Sequence, residues 1–126
     1  MKNILLLLFL SSTLLACTAQ TKEVIKVADV ITFNKGISND DVQLIDVRTP
    51  EEFKDGHIEN AILIDIKSVD FRNKIQKLDT EKPVYLYCKS GKRSGTASKV
   101  LKELGFKEIV DLEGGYLAWS KIIKQK

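Results

Sequence analysis

The chain has 126 residues, of which 44% are hydrophobic and 29% are charged, with 7 Gly and 2 Pro. These proportions exclude collagen-like, low-complexity and strongly disordered chains, and the length suits one domain. The net charge of only +3, with no basic stripe interleaved with aromatic residues, argues against nucleic acid as a partner.

The first sixteen residues have the pattern of an export signal. Lys2 precedes an unbroken apolar run from Ile4 to Leu10, and small or aliphatic residues follow it. The run is too short to span a bilayer, which needs roughly 20 apolar residues. Leu-Leu-Ala-Cys at residues 14–17 resembles the bacterial lipobox, in which a signal peptidase cuts before a cysteine whose thiol receives a lipid.

We therefore expect a lipoprotein-type signal peptide at residues 1–16, a lipidated Cys17 that begins a polar tether through residue 23, and a folded domain over residues 24–126. Secretory cleavage near Ala16 or Ala19, which leaves Cys17 free or removes it, is the alternative.

A lipid on Cys17 would anchor the domain to a membrane of the bacterial envelope, outside the cytoplasm. Thr18 follows the cysteine where an Asp would retain a lipoprotein at the inner membrane, so we expect the outer membrane, facing the periplasm, in a Gram-negative host. Acylation of Cys17 would leave Cys88 as the only thiol, which allows neither an internal disulfide nor a cysteine-based zinc site.

After the tether, apolar runs of strand length alternate with helix-like segments. The predicted strands are residues 24–27, 44–47, 61–64, 84–87 and 109–112. The predicted helices are residues 28–35, 50–54, 68–78, 94–104 and 116–123. This alternation predicts an α/β fold: a five-stranded, mainly parallel sheet with helices on both faces.

Cys88 is the candidate catalytic residue because it directly follows the apolar strand at residues 84–87. Ligands of open α/β sheets bind at the carboxyl ends of the strands. Loop N–H groups, the dipole of the following helix, and Lys89, Lys92 and Arg93 are expected to stabilise a Cys88 thiolate. A buried structural cysteine, with the basic residues facing solvent, is the alternative.

Several separated motifs resemble the rhodanese-like sulfurtransferases, in the order in which that family has them. The resemblance covers nearly all of residues 24–123. It is carried by Leu-Ile-Asp-Val-Arg-Thr-Pro-Glu-Glu-Phe at 44–53, Gly-His-Ile at 56–58, Cys-Lys-Ser-Gly-Lys-Arg-Ser at 88–94, and Leu-Glu-Gly-Gly-Tyr at 112–116 with Trp119.

The resemblance implies a single rhodanese-like domain and a reaction in two displacements. The Cys88 thiolate would take the outer sulfur of a small anionic donor such as thiosulfate, and would pass it from a persulfide to cyanide or to a thiol, including a protein thiol. No metal and no organic cofactor are implied. Rhodaneses place four residues between the cysteine and the next arginine, as here between Cys88 and Arg93, whereas related cysteine phosphatases place five.

The resemblance also identifies a substrate-binding or persulfide loop. We expect its N–H groups to stabilise the persulfide and its positive charges to attract the donor, while Lys89 and Lys92 either do so or only face solvent. Arg93 either attracts the anion or braces the loop against an acidic partner. The loop residues are Lys89, Ser90, Gly91, Lys92, Arg93 and Ser94.

Three further residues lie in the other motifs. We predict a structural role for Asp46 at the end of its strand, while Arg48 either contributes to the pocket or braces the strand end. His57 is expected to form a structural hydrogen bond, since an electropositive loop ionises a thiol without a base. A redox or protein-interaction module of the same fold, and a cysteine-based phosphatase or arsenate reductase, are the alternative functions.

Overall fold

A computed structural model describes residues 22–124, in which five strands alternate with five helices. The predicted signal peptide and Cys17 lie outside the described residues. The strands are β1 (Ile25–Ala28), β2 (Gln43–Asp46), β3 (Ile62–Leu63), β4 (Val84–Tyr87) and β5 (Ile109–Leu112). The helices are α1 (Val30–Ile37), α2 (Pro50–Asp55), α3 (Phe71–Ile75), α4 (Lys92–Glu103) and α5 (Gly115–Ile123).

The strands form one sheet in the order β1-β5-β4-β2-β3, and every pairing in it is parallel. β4 is the central strand, with Leu86 opposite Ile45 of β2 and Asp111 of β5. The predicted fold class is therefore confirmed. Because all strands point the same way, the segments after β2 and β4 meet at one edge of the sheet.

Two hydrophobic clusters hold the helices against opposite faces of the sheet. On one face, Ile75 of α3 and Leu101 of α4 pack on Leu86. On the other face, Phe33 of α1 and Trp119 of α5 pack on the sheet. Burial of these side chains is the main stabilising contribution to the fold, at about 25 cal/mol for each Å² of apolar surface removed from water.

Short polar contacts fix where the helices begin. The Asp29 carboxylate accepts the Thr32 N–H at 2.8 Å before α1, and Thr49 and Glu52 form a reciprocal capping box at α2. α4 and α5 instead begin after glycines with positive φ, 107° at Gly91 and 72° at Gly114. These two helices therefore begin with tight turns in the left-handed region of the backbone, which favours glycine.

Two predicted helices have different ends in the structure. The first helix, predicted over residues 28–35, is α1 at Val30–Ile37, and Gly36 lies inside it, where an added Cβ would stand 2.4 Å from the Tyr85 hydroxyl oxygen. It is thus a packing glycine. α3 has five residues where eleven were predicted, because turns stabilised by Asp65 precede it and turn hydrogen bonds from Lys77 and Leu78 follow it.

No helix within residues 22–124 has the length and apolar character needed to cross a membrane.

Candidate active site

The side chain of Cys88 lies directly after β4, and only 1% of this residue is exposed. Its sulfur accepts the N–H of Gly91 at 3.1 Å and lies 3.4 Å from the Ser94 hydroxyl oxygen. Burial raises the pKa of the Cys88 thiol, but hydrogen bonds from the Ser94 hydroxyl and from the N–H groups of Ser94, Gly91 and Ser90 outweigh burial and lower it. The loop thus favours a thiolate.

The start of α5 explains why the loop presents its N–H groups to the sulfur. The N–H groups of Tyr116 and Leu117 bind the carbonyl oxygens of Cys88 and Lys89 at 2.8 and 3.1 Å. An added Cβ at Gly115 would stand 2.6 Å from the Cys88 carbonyl oxygen. The carbonyl oxygens of Cys88 and Lys89 therefore bind α5, at a close contact that requires Gly115. The loop N–H groups are directed toward the Cys88 sulfur instead, as that of Gly91 shows.

The basic side chains of the loop differ in their surroundings. Lys89 and Lys92 are exposed, so they are free to meet an anion in solution. The Arg93 guanidinium forms a bidentate pair with Glu52, at 2.7 and 2.8 Å, and this hydrogen bonding lowers the pKa of Glu52 to about 2. Of the two roles considered for Arg93, the geometry matches the brace against an acidic partner.

The prediction that loop N–H groups stabilise the Cys88 thiolate agrees with the structure, in which the N–H groups of Ser90, Gly91 and Ser94 lower the pKa of Cys88 against the effect of burial. The pKa of Arg93 is raised by hydrogen bonding to its carboxylate partner and also by the charge of Cys88. The Ser94 hydroxyl is a further donor to Cys88, whose role the sequence did not indicate. Ser94 donates through its side chain, whereas the other donors are backbone N–H groups, and Ser94 is completely buried.

Arg48 and Asp46 form a buried ion pair at the end of β2. The Arg48 guanidinium donates to both carboxylate oxygens of Asp46, with the shortest contact at 2.6 Å, and to the Gly56 carbonyl at 2.7 Å. Its carbon lies 4.3 Å from the centre of the Tyr116 ring. Arg48 therefore joins β2 to the turn after α2 and to α5.

Arg48 also lines a cleft of about 190 Å³ beside the loop, together with Glu52, Asp55, Lys89 and Leu117. Asp46, in contrast, is completely buried and is used in holding Arg48. The two alternatives for Arg48 are thus compatible, because the same guanidinium braces the strand end and forms part of the cleft wall.

The contacts of His57 are with Phe53 of α2. Its Nδ1 is 2.9 Å from the Phe53 carbonyl oxygen, and its exposed ring stacks on the Phe53 ring with centroids 3.7 Å apart. These contacts connect the end of α2 to the following turn. Within residues 22–124, no group of three or more His, Cys, Asp or Glu side chains is placed to hold a metal ion.

Sequence reasoning missed Asp111, a buried carboxyl in β5 near the first turn of α4. Burial raises its pKa, and hydrogen bonding with Ser94 and with the Leu112 N–H opposes that rise. An acidic residue inside the apolar run Ile-Val-Asp-Leu at residues 109–112 was the available indication, since an unpaired carboxylate is rarely buried in a strand.

The chain is similar in sequence to a known protein family and to several of its relatives. The family model described as rhodanese-like domain matches residues 30–122. The Bacillus subtilis protein YqhL is 45% identical over 84 residues, which are 67% of this chain and 65% of that protein. A sulfurtransferase of Allochromatium vinosum is 33% identical over 82 residues, 65% of this chain and 75% of that protein. The match thus spans just under two thirds of the length of YqhL.

The fold is also similar to that of a solved structure of a rhodanese-related protein. The crystal structure of a rhodanese-related protein from Thermoplasma volcanium superposes with a TM-score of 0.67 at 32% sequence identity, covering 76% of this chain and 91% of that one.

Proposed function

The chain belongs to the rhodanese-like domain family, and on this premise we propose that it is a sulfurtransferase that carries sulfane sulfur as a persulfide on Cys88. The observation that carries the proposal is the environment of the Cys88 sulfur, which is buried at the end of the central strand with the Gly91 N–H at 3.1 Å and the Ser94 hydroxyl at 3.4 Å. These donors stabilise the anion needed for attack and the anion formed afterwards.

In the first half-reaction the Cys88 thiolate attacks the outer sulfur of thiosulfate. A bond forms between the two sulfurs, the bond from the outer sulfur to the sulfonyl sulfur breaks, and its electron pair leaves with sulfite. The enzyme is left as the Cys88 persulfide anion. The small donor suits a sulfur that lies beneath a short loop and is hardly exposed.

In the second half-reaction an acceptor regenerates the thiolate. Cyanide or a thiolate attacks the outer persulfide sulfur, the bond to the Cys88 sulfur breaks, and the electron pair returns to Cys88. Neither half-reaction requires a proton transfer to or from a side chain, so the exposed His57, held at Phe53, has no necessary part in it.

The Arg93 contacts argue against the phosphatase alternative. A phosphoryl transition state needs positive charge directed at its oxygens, whereas both terminal nitrogens of Arg93 are bound to Glu52. With four residues between Cys88 and Arg93, the loop also offers a smaller ring of N–H donors than a tetrahedral oxyanion requires. We therefore favour a single sulfur atom as the group that the loop holds.

A paired assay tests the proposed function. The domain should form thiocyanate from thiosulfate and cyanide, and should release no phosphate from a phosphate monoester such as p-nitrophenyl phosphate. Thiocyanate formation at the rate of the uncatalysed reaction would contradict the proposal. Phosphate release dependent on Cys88 would support the phosphatase alternative instead.

The exposed lysines of the loop should attract the anionic donor. We predict that the double variant Lys89→Ala, Lys92→Ala raises the KM for thiosulfate by roughly 3- to 10-fold, with a smaller change in kcat, because each lysine contributes a screened attraction to a dianion. The dependence of kcat/KM on ionic strength should weaken as well. The double variant Lys99→Ala, Lys102→Ala, which removes two exposed α4 lysines farther along the helix, is the matched control. Unchanged kinetics at low ionic strength would contradict the proposed steering.

We further propose that the domain is lipid-anchored through Cys17 in the bacterial envelope. The support is the lipobox-like sequence at residues 14–17 after a short apolar run. Cys17→Ser should move the protein from the membrane fraction to a soluble fraction, or leave the unprocessed precursor, as seen by fractionation and intact mass. Ala19→Ser serves as the control. An unchanged membrane fraction and unchanged mass in Cys17→Ser would contradict lipidation.

A further inference from the structure

A carboxyl group without a role in the two half-reactions is buried beside the reactive loop. Asp111 pairs with Leu86 of β4, and only 6% of it is exposed. Its Oδ1 atom is fully buried and has no hydrogen-bond partner within the described part of the chain. Such an unpartnered oxygen is unfavourable, particularly when the carboxyl is ionised, so its position next to the site requires an explanation.

The first turns of α4 cover this carboxyl with small residues. An added Cβ at Gly95 would stand 3.9 Å from Asp111 Oδ2. Burial raises the pKa of the Asp111 carboxyl, and the residue that precedes Gly95, Ser94, lowers it. The Ser98 hydroxyl, one turn beyond Ser94, is also buried and unpartnered among residues 22–124. Polar groups are thus concentrated at one point of the contact between α4 and β5.

Ser94, the residue before Gly95, lies beside the reactive sulfur. Its hydroxyl oxygen lies 3.2 Å from the Gly91 carbonyl oxygen and 3.4 Å from the Cys88 sulfur. A hydroxyl has one proton to donate and two lone pairs that accept. The Cys88 thiolate and the Gly91 carbonyl therefore compete for one proton, and an ionised carboxyl in contact with Ser94 would be a third acceptor.

We propose that Asp111 is a positioning residue that acts on Cys88 through Ser94. A neutral Asp111 carboxyl donates toward the Ser94 oxygen and leaves the Ser94 proton to the Cys88 thiolate or persulfide. An ionised Asp111 attracts that proton to itself. This inference rests on the proposed function, since sulfur transfer is the reaction that Asp111 would affect. Ionisation of Asp111 is expected to make the Cys88 thiolate less stable.

Few other charges face Asp111 from the elements packed around it. β4 contributes Leu86 and then Cys88, while β1 places Val27 opposite Asp111, with Lys26 on the other face of the sheet near Glu108. On α4, the nearby basic side chains are Lys92, Arg93 and Lys99. Lys92 and Lys99 are exposed, and Arg93 is paired with Glu52. Ser94, which contacts the Cys88 sulfur, is therefore the group through which we expect Asp111 to act.

The test is the rate of Cys88 alkylation by iodoacetamide as a function of pH. Asp111→Asn keeps the shape and an N–H donor but cannot ionise. Between the pH at which Asp111 titrates and the pH at which Cys88 titrates, it should react roughly 2- to 10-fold faster than the wild type because more of its Cys88 is thiolate, the ratio expected for one redirected hydrogen bond. At lower pH the two rates should converge. Ser98→Ala, which removes the neighbouring buried hydroxyl, is the control and should follow the wild-type profile.

The double variant separates an effect through Ser94 from a direct one. In a Ser94→Ala background, Asp111→Asn should change the alkylation rate by less than about 1.5-fold, because the connecting hydroxyl is gone. Profiles of Asp111→Asn and wild type that coincide, or an equal gain with and without Ser94, would overturn the proposal. Alkylation requires no sulfur transfer, so a failure of this test is distinct from a failure of the proposed function.

If Asp111→Asn does not fold, a measurement on the wild-type protein tests the same proposal. The pKa of the Asp111 carboxyl, followed by ¹³C NMR, should be higher in the protein with a free Cys88 thiolate than in protein whose Cys88 is S-methylated, because coupling between two sites is reciprocal. A pKa that is the same in both forms would overturn the proposal.

Discussion

Cys88→Ser should abolish sulfur transfer, with a loss on the order of 10⁴-fold or more in kcat/KM, while the fold remains. Serine keeps nearly the same shape and accepts the same hydrogen bond from the Gly91 N–H. Its hydroxyl stays protonated at neutral pH and cannot form a persulfide. The size of the loss is that of removing a covalent nucleophile, and steady-state thiocyanate formation measures it.

Thermal unfolding of the same variant separates chemistry from stability. We expect a similar Tm for wild type and Cys88→Ser, and Cys88→Ala provides a second control without a hydroxyl. Turnover near the wild-type rate in Cys88→Ser would contradict the persulfide mechanism.

Arg48→Ala should lower the free energy of unfolding by about 3–5 kcal/mol, since it leaves the completely buried Asp46 carboxylate without its partner. The variant also loses the hydrogen bond to the Gly56 carbonyl and the stacking on Tyr116. Arg48→Lys should recover only part of this stability, because an ammonium group cannot reproduce the planar set of donors. Urea denaturation measures these changes.

Lys74→Ala is a suitable control for Arg48→Ala. Lys74 pairs with Asp70 at 3.1 Å on the surface of α3, with about half of each side chain exposed, and such pairs contribute about 0–1 kcal/mol. If Arg48→Ala loses no more stability than Lys74→Ala, the buried ion pair of Arg48 and Asp46 does not stabilise the fold as expected.

The sequence predicted the sheet well because its strands are apolar runs of distinct length. Residues 84–87 and 109–112 have the predicted bounds, and β1 differs by one residue at each end. Helix ends were less predictable, since the place of Gly36 inside α1 is explained only by its contact with Tyr85 of β4. Local patterns determine the elements, but contacts between distant residues determine where several of them end.

The candidate site was predictable in part. The place of Cys88 after an apolar strand is visible in the sequence, whereas the pairing of Arg93 with Glu52 joins residues 41 positions apart. The role of Ser94 as a donor to the sulfur and the burial of Asp111 under α4 likewise depend on how the helix packs. Lipidation of Cys17 stays a prediction.

Intact-mass spectrometry of the purified domain after incubation with thiosulfate shows whether Cys88 carries one sulfur atom. The wild type should gain the mass of a single sulfur at Cys88 and lose it when cyanide is added, and Cys88→Ser should gain nothing. No added sulfur on the wild type, or an added sulfur in Cys88→Ser, would contradict a persulfide on Cys88.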